Sequence, residues 1–339
     1  MEYRRLGSCG LKVSELCLGT MTFGYSTDER ESGRIVQSAL DAGVTFFDTA
    51  NTYAAGASER ILGTVLGEKR KDVVVATKFF NPFGPGPNDS GVSRHAIYTA
   101  VTDSLSRLGT DYIDLYYVHH VDTQVEPEET LRALDDLVRT GKVRYIACSN
   151  YPAWRVCDSL WTSTAGGLER FVAYQGQYNL VVRDLEEEVL PLCLAKKLGL
   201  VAWGPIAGGF LTGKYQPGER VKQGTRSEER WVWMNQSFAS NADEILRVLI
   251  DTAGELGRSP TQVALRFLLR QPGISSVIAG ARTSDQFTDS LGALDWELED
   301  EAYDRLERVS RPTPRYPRSF EERMHERRDK AVQTGARTK

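Results

Sequence analysis

Short β-branched and aromatic runs alternate with helical stripes along nearly the whole chain, and helical material follows each run. The runs are Leu16 to Gly19, Val44 to Asp48, Val73 to Lys78, Ile113 to His119, Val143 to Ser149, Phe171 to Gln175, Leu200 to Trp203 and Ser276 to Ile278. Their length and composition suit buried strands. Between them, Asp28 and Glu31 predict a capping box ahead of the stripe Ile35, Val36, Ala39 and Leu40, with Gly43 as the stop. Further helices are predicted over Ser58 to Leu66, about Ser93 to Leu108, Glu126 to Thr140, Pro152 to Trp161, Asp184 to Leu198, Asp243 to Leu256 and Ser284 to Leu294, and another opens at Ser259 and Pro260. Strand and helix in alternation, eight times over, predict an α/β fold of the (β/α)8 TIM-barrel type. No Pro/Ser-rich linker divides the 339 residues. A single barrel domain is therefore expected over residues 1–315, followed by a charged, flexible tail over 316–339.

Composition narrows the function classes. Net charge is -4 with both signs interspersed, so neither a nucleic-acid stripe nor a polybasic membrane patch stands out, and a small-molecule partner is expected. Five cysteines form no C-x-x-C pair, which argues against a disulfide framework and for a reduced, cytoplasmic setting. No apolar run reaches signal-peptide or membrane-span length. Homo-oligomer formation is left open.

Four strand ends carry the chemistry. Asp48 and the following Tyr53, then Lys78 and His119, sit where a parallel barrel gathers its C-terminal strand ends, the face that hosts catalysis. On period-two alternation, Val44, Phe46 and Asp48 share a face, as do Val74, Ala76 and Lys78, and Ile113, Leu115, Tyr117 and His119. Each polar group thus caps an apolar inward column. Singly, such a residue is more often a helix cap, a solvated group or a satisfied core group; aligned columns plus a tyrosine favour a site. His120, on the opposite pleat face, reads as packing. No metal set is expected.

Leu6-Gly7 through Gly10-Leu11-Lys12-Val13-Ser14 to Leu18-Gly19-Thr20-Met21, Asp48-Thr49-Ala50 to Tyr53, Ser58-Glu59, Ser104-Leu105-Ser106-Arg107-Leu108 with Asp111-Tyr112-Ile113-Asp114-Leu115, Ser149-Asn150, and Gly209-Phe210-Leu211-Thr212-Gly213-Lys214-Tyr215 together resemble the aldo-keto reductase superfamily. The likeness runs from about residue 3 to about 310, and Trp203 with its glycine-rich loop is similar to the branch of bacterial reductases and potassium-channel beta subunits. The resemblance implies reversible, NADPH-dependent reduction of an aldehyde or ketone, with NADH as a weaker cofactor. In that scheme Tyr53 is the general acid, Lys78 assists it, Asp48 holds Lys78, and His119 orients the carbonyl. The chemistry is sensible, because a tyrosine near pKa 10 donates poorly at neutral pH unless a nearby ammonium favours the phenolate.

No G-x-G-x-x-G follows a first strand, which removes the doubly wound dinucleotide domain. The resemblance implies instead an extended cofactor across the barrel mouth. Gly19, Thr20, Met21 and Asp48 border it; Ser149, Asn150 and Gln175 match carboxamide contacts, and Trp203 an aromatic platform. Gly204, Pro205, Ile206, Ala207, Gly208, Leu211, Gly213 and Lys214 match a pyrophosphate strap. Gly280, Arg282, Gln286, Asp289 and Ser290 match the adenosine end, and Arg226 an arginine that closes over it. The strap also fits G-x-x-x-x-G-K, but Tyr215 stands where a triphosphatase needs Ser or Thr for magnesium.

Cys148, Gly204 and Ser290 depart from the superfamily's frequent residues at their positions, and Ser290 does so at the adenine pocket. Phe23, Tyr25, the loop Phe79 to Pro87, Trp231 and Trp233 are candidates for an aromatic pocket rim, so an apolar, aromatic aldehyde or ketone is expected. Two other classes stay open: a weakly catalytic or non-catalytic NADPH-binding auxiliary subunit, and a lyase that uses Lys78 as a Schiff-base nucleophile.

Overall fold

The computed structural model describes residues 1–218 and 238–334. An antiparallel pair, β1 (Tyr3–Arg5) and β2 (Lys12–Ser14), precedes the barrel. Eight parallel strands then close on themselves in chain order: β3 (Leu16–Gly19), β4 (Phe46–Asp48), β5 (Val74–Phe79), β6 (Ile113–Val118), β7 (Val143–Ser149), β8 (Ala173–Gln177), β9 (Gly199–Trp203) and β10 (Ile274–Gly280), which pairs with β3. The surrounding helices are α1 (Glu29–Asp41), α2 (Ala57–Leu66), α3 (Arg94–Leu108), α4 (Pro127–Arg139), α5 (Ala153–Gly166), α6 (Val189–Lys196), α7 (Ala242–Glu255), α8 (Pro260–Leu269), α9 (Ser284–Leu291), α10 (Asp300–Ser310) and α11 (Arg318–Thr334). This is the expected (β/α)8 barrel.

Inward side chains Cys17, Phe46, Val74, Ala76, Leu115, Tyr117, Ala147, Ala173, Val201 and Ile278 fill the barrel, and Leu6 and Val13 join them from the β1/β2 pair. That pair was not anticipated; its strands are three residues each, too short to show a period. The parity expectation holds within the barrel, but Val44 and Ile113 pack in the outer layer against the helices. Val44 precedes β4, outside that strand's pleat, whereas Ile113 is the first residue of β6 and departs from the expected column at the strand's start.

Three local differences have physical causes. Asp28 caps α1 through Glu31 N, but Glu31 does not return the bond; its carboxylate accepts from Ser284 N at 2.7 Å and ties α1 to α9. The reciprocal capping box is Ser259 with Gln262. The helix expected over Asp184 to Leu198 is instead a 3-10 turn and the shorter α6, because the Pro191 ring obstructs helix on its N-terminal side. In the charged tail, expected to be flexible, α11 forms, with Arg318 paired to Glu322 one turn on and bonded at 2.7 Å to the Glu186 carbonyl.

The outer layer also fixes strand register at the site. Glu59 on α2 is fully buried, accepts from Thr77 Oγ1 at 2.6 Å, and pairs with Arg107 of α3 at 2.6 Å. One ion pair thus joins two motifs 48 residues apart to β5 at the position before Lys78. Close helix contact lets this happen. A Cβ at Gly63 would lie 2.2 Å from the Leu108 carbonyl oxygen, a backbone atom that cannot turn aside. Gly63→Ala is accordingly expected to lower stability by about 1–3 kcal/mol through overpacking. A urea midpoint equal to the parent's would show that α2 and α3 separate freely.

Candidate active site at the C-terminal barrel face

Asp48 ends β4, Lys78 lies one residue from the end of β5, and His119 follows β6. Lys78 is fully buried, and its Nζ donates to Asp48 Oδ1 at 2.5 Å, to the Thr49 carbonyl at 2.7 Å and to Tyr53 Oη at 3.4 Å. The second Asp48 oxygen accepts from Gln175 Nε2 at 2.7 Å. A carboxylate, an ammonium and a phenol therefore form one chain from the barrel interior to its mouth. Thr20, Thr49 and Ser58 hold it from outside: Thr20 Oγ1 donates to the Asp48 carbonyl, and the three hydroxyls meet at 2.8 and 2.9 Å.

The His119 ring stands edge-on to Tyr53, with centroids 6.1 Å apart, and stacks on His120 at 4.7 Å. Its Nδ1 lies 3.4 Å from Asn81 Nδ2. Burial, reinforced by the Lys78 ammonium and by His120, pushes the His119 pKa down to about 2. The ring is neutral across the range of about pH 5 to 8 where histidines ordinarily titrate. Burial pulls the Lys78 ammonium the other way from its partners, but Asp48 and Tyr53 outweigh it and raise the pKa above 10.5. Lys78 is charged at any working pH.

Most of the remaining expected residues that the structure describes lie at the ends of β3, β7, β8, β9 and β10 or in the segments after them. Asn150 donates to Ser149 Oγ and to the His119 carbonyl, both at 3.0 Å, and accepts from Trp203 Nε1 at 3.2 Å. Gly204, Gly208, Gly209 and Gly213, together with Ala207, all have positive φ in the strap after β9. Leu211 is fully buried in the same strap. Gly280 ends β10, Arg282 precedes α9, Gln286 lies in its first turn, and Asp289 and Ser290 lie in its last turn. There Gln286 accepts from Arg282 N at 3.0 Å, Asp289 accepts from Gln262 at 3.0 Å, and the buried Ser290 hydroxyl donates back to the Gln286 carbonyl. Gly19 Cα approaches β10 so closely that a Cβ would lie 2.6 Å from Ile278. Thr20 is buried and Met21 half-buried beside it. Arg226, Trp231 and Trp233 lie outside the described residues.

Of the rim candidates, Phe23 is fully buried in the outer core, whereas Tyr25 is 67% exposed. Phe80 packs edge-on to His120, and a cavity of about 220 Å³ opens between the loop that follows it and α3. Cys148 is buried in the outer layer, where burial raises its pKa well above the ordinary thiol value. Among the described residues no His/Cys/Asp/Glu group could hold a metal, and no helix is long and apolar enough to cross a membrane. Sequence reasoning missed Asn81. Its signal is steric: Ala54, Ala55, Phe80, Asn150 and Ala207 have positive φ, so five of the six such non-glycine residues described flank this mouth. Strain of this kind persists where the surroundings enforce it, and it clusters at working sites.

Residues 15–311 match the profile of the Aldo/keto reductase family. The chain belongs to that family. It is 39% identical over 312 residues to an uncharacterised oxidoreductase of Bacillus subtilis, covering 89% of this chain and 93% of the other. It is 38% identical to a probable voltage-gated potassium channel subunit beta of Oryza sativa, over 94% of this chain and all of that one. Versiconal hemiacetal acetate reductase of Aspergillus parasiticus is 31% identical, over 94% and 99% of the two chains. The fold and the family agree.

Proposed function

We propose that this family member is an oxidoreductase that reduces an aldehyde or ketone to the alcohol with NADPH, and runs in reverse with the same residues. The observation that carries this reading is the buried chain Asp48–Lys78–Tyr53, which ends at a half-buried phenol beside a neutral imidazole. When bound, the nicotinamide dinucleotide supplies hydride to the carbonyl carbon. Tyr53 Oη gives its proton to the carbonyl oxygen, and the Lys78 ammonium stabilises the phenolate that remains. Asp48 keeps Lys78 charged and aimed. His119 donates a hydrogen bond to the same carbonyl oxygen, from a ring already fixed by stacking and by its neighbours.

The strap fits such a cofactor. Successive positive-φ residues turn backbone N–H groups into a concavity suited to phosphate oxygens. A Cβ at Gly209 would fall 2.6 Å from Lys214 Nζ, so a side chain there would displace the lysine head as well as strain a φ of +100°. Trp203, half-buried at the end of β9, would offer its ring, and Ser149, Asn150 and Gln175 their polar atoms. Arg282 would meet the 2′-phosphate that distinguishes NADPH, a task for a permanently charged fork. Arg282→Ala is expected to weaken NADPH about tenfold or more and NADH little, in line with roughly 1.5–3 kcal/mol for a charged hydrogen bond. Tryptophan fluorescence titration checks this. Equal losses for both cofactors would remove Arg282 from 2′-phosphate recognition.

A second reading is favoured by the potassium-channel beta subunits among the relatives: a cofactor-binding auxiliary protein. Turnover separates the two, because an auxiliary subunit binds NADPH without consuming it at an enzymatic rate. The Schiff-base reading fares worse. Lys78 has its ammonium bonded to Asp48, Thr49 and Tyr53, and a charged amine is no nucleophile.

A further inference from the structure

The geometry points to Asn81 as a positioning residue that fixes the tautomer of His119 and thereby presents Nε2–H to the substrate. The inference rests on the carbonyl-reduction reading for its purpose but not for its geometry. Asn81 Nδ2 lies 3.4 Å from His119 Nδ1 and is the only hydrogen-bond partner of that ring among the described residues. The opposite amide orientation would put the proton on Nδ1; with the Asn81 amide oriented nitrogen-first toward the ring, as in this structure, Nδ2 donates and Nδ1 accepts without a proton. A neutral imidazole has a single N–H, which is then on Nε2. His119 is kept neutral by its burial and by the nearby Lys78 ammonium, so the proton cannot be on both nitrogens.

The chain spends strain on this placement. Phe80, the residue before Asn81, has φ of +148°, a conformation that L side chains rarely adopt. The Phe80 carbonyl accepts from Gly91 N at 2.7 Å, which closes the loop, and the Phe80 ring packs on His120, which itself stacks on His119. From below, His119 N donates to the Phe79 carbonyl at 2.9 Å, and the His119 carbonyl accepts from Asn150. Backbone and ring are thus held on several sides, and Asn81 adds the one element these contacts lack, the choice of nitrogen that bears the proton. Without it, the ring can present an acceptor rather than a donor to the carbonyl oxygen, a geometry that repels substrate oxygen.

The test is nitrogen-15 correlation spectroscopy of histidine-labelled full-length protein, with His119 assigned by its loss in His119→Gln. The parent is expected to show an unprotonated Nδ1 and a protonated Nε2 at His119. Asn81→Leu should give a mixture of tautomers, and Asn81→Asp, whose carboxylate only accepts, should move a proton to Nδ1. With a reducible aldehyde, Asn81→Leu is expected to lower kcat about tenfold with KM and NADPH affinity little changed, consistent with loss of one oriented hydrogen bond. A protonated Nδ1 in the parent, or His119 signals identical in parent, Asn81→Leu and Asn81→Asp, would overturn the assignment. Tautomer control by Asn81 in a protein that reduces no carbonyl would uphold it and refute the reductase reading instead.

Discussion

Tyr53→Phe is expected to bind NADPH as tightly as the parent while losing about 10²- to 10⁴-fold in carbonyl reduction, the usual worth of a positioned general acid. The substitution removes one oxygen, which is bonded to Lys78 Nζ at 3.4 Å, and leaves the ring that faces His119 in place. Tyr53 opens a 3-10 turn whose next two residues, Ala54 and Ala55, have φ of 48° and 51°. A backbone held this way does not depend on the phenol hydroxyl, so the fold is expected to survive. Fluorescence titration and single-turnover rates on the same preparations separate binding from chemistry. Activity within a few-fold of the parent would remove Tyr53 from the reaction.

Lys78→Met should cost both stability and rate. The ammonium is the partner of a carboxylate that is 3% exposed, and removing one member of a buried pair commonly destabilises by about 3–5 kcal/mol because the other charge is stranded. Gln175 still donates to the far oxygen of Asp48, which tempers but does not replace the lost cation. Rate falls separately, since Tyr53 loses the charge that favours its deprotonated form. The double variant Lys78→Met/Asp48→Asn discriminates between the two effects: it should recover much of the stability, measured by denaturant midpoint, and none of the activity. Recovery of both would mean that Lys78 is only a structural counter-ion.

What was legible in the sequence follows from range. Strands such as Val143–Ser149 and helix ends such as Ser259–Pro260 announce themselves through local composition and capping chemistry, so the barrel order could be read directly. Asp48, Lys78 and His119 were legible because the pleat puts them at the tops of apolar columns. Tyr53 lies beyond its strand, in the turn after β4, so position alone placed it with the set, and the resemblance supplied its role as general acid. Contacts between distant segments left no local trace: Glu31 looked like half of a capping box and instead reaches Ser284, 253 residues away. Asn81 was hidden for a different reason, because a loop polar residue becomes informative only once the strained Phe80 turns it toward His119. Ser58-Glu59 and Arg107 were seen as signatures; the structure gives Glu59 and Arg107 the job of binding α2, α3 and β5 to one another, and Ser58 that of joining Thr20 and Thr49 beneath Asp48.

The most direct test of the central claim is an NADPH-consumption screen over aldehydes, ketones and sugars, with the alcohol product quantified and a borohydride trapping control run alongside. The account predicts saturable NADPH oxidation matched one-for-one by alcohol formation, strongest with apolar aromatic aldehydes, abolished in Tyr53→Phe, and no covalent adduct on Lys78. NADPH that binds but is consumed with no carbonyl compound, or a substrate trapped on Lys78, would contradict it.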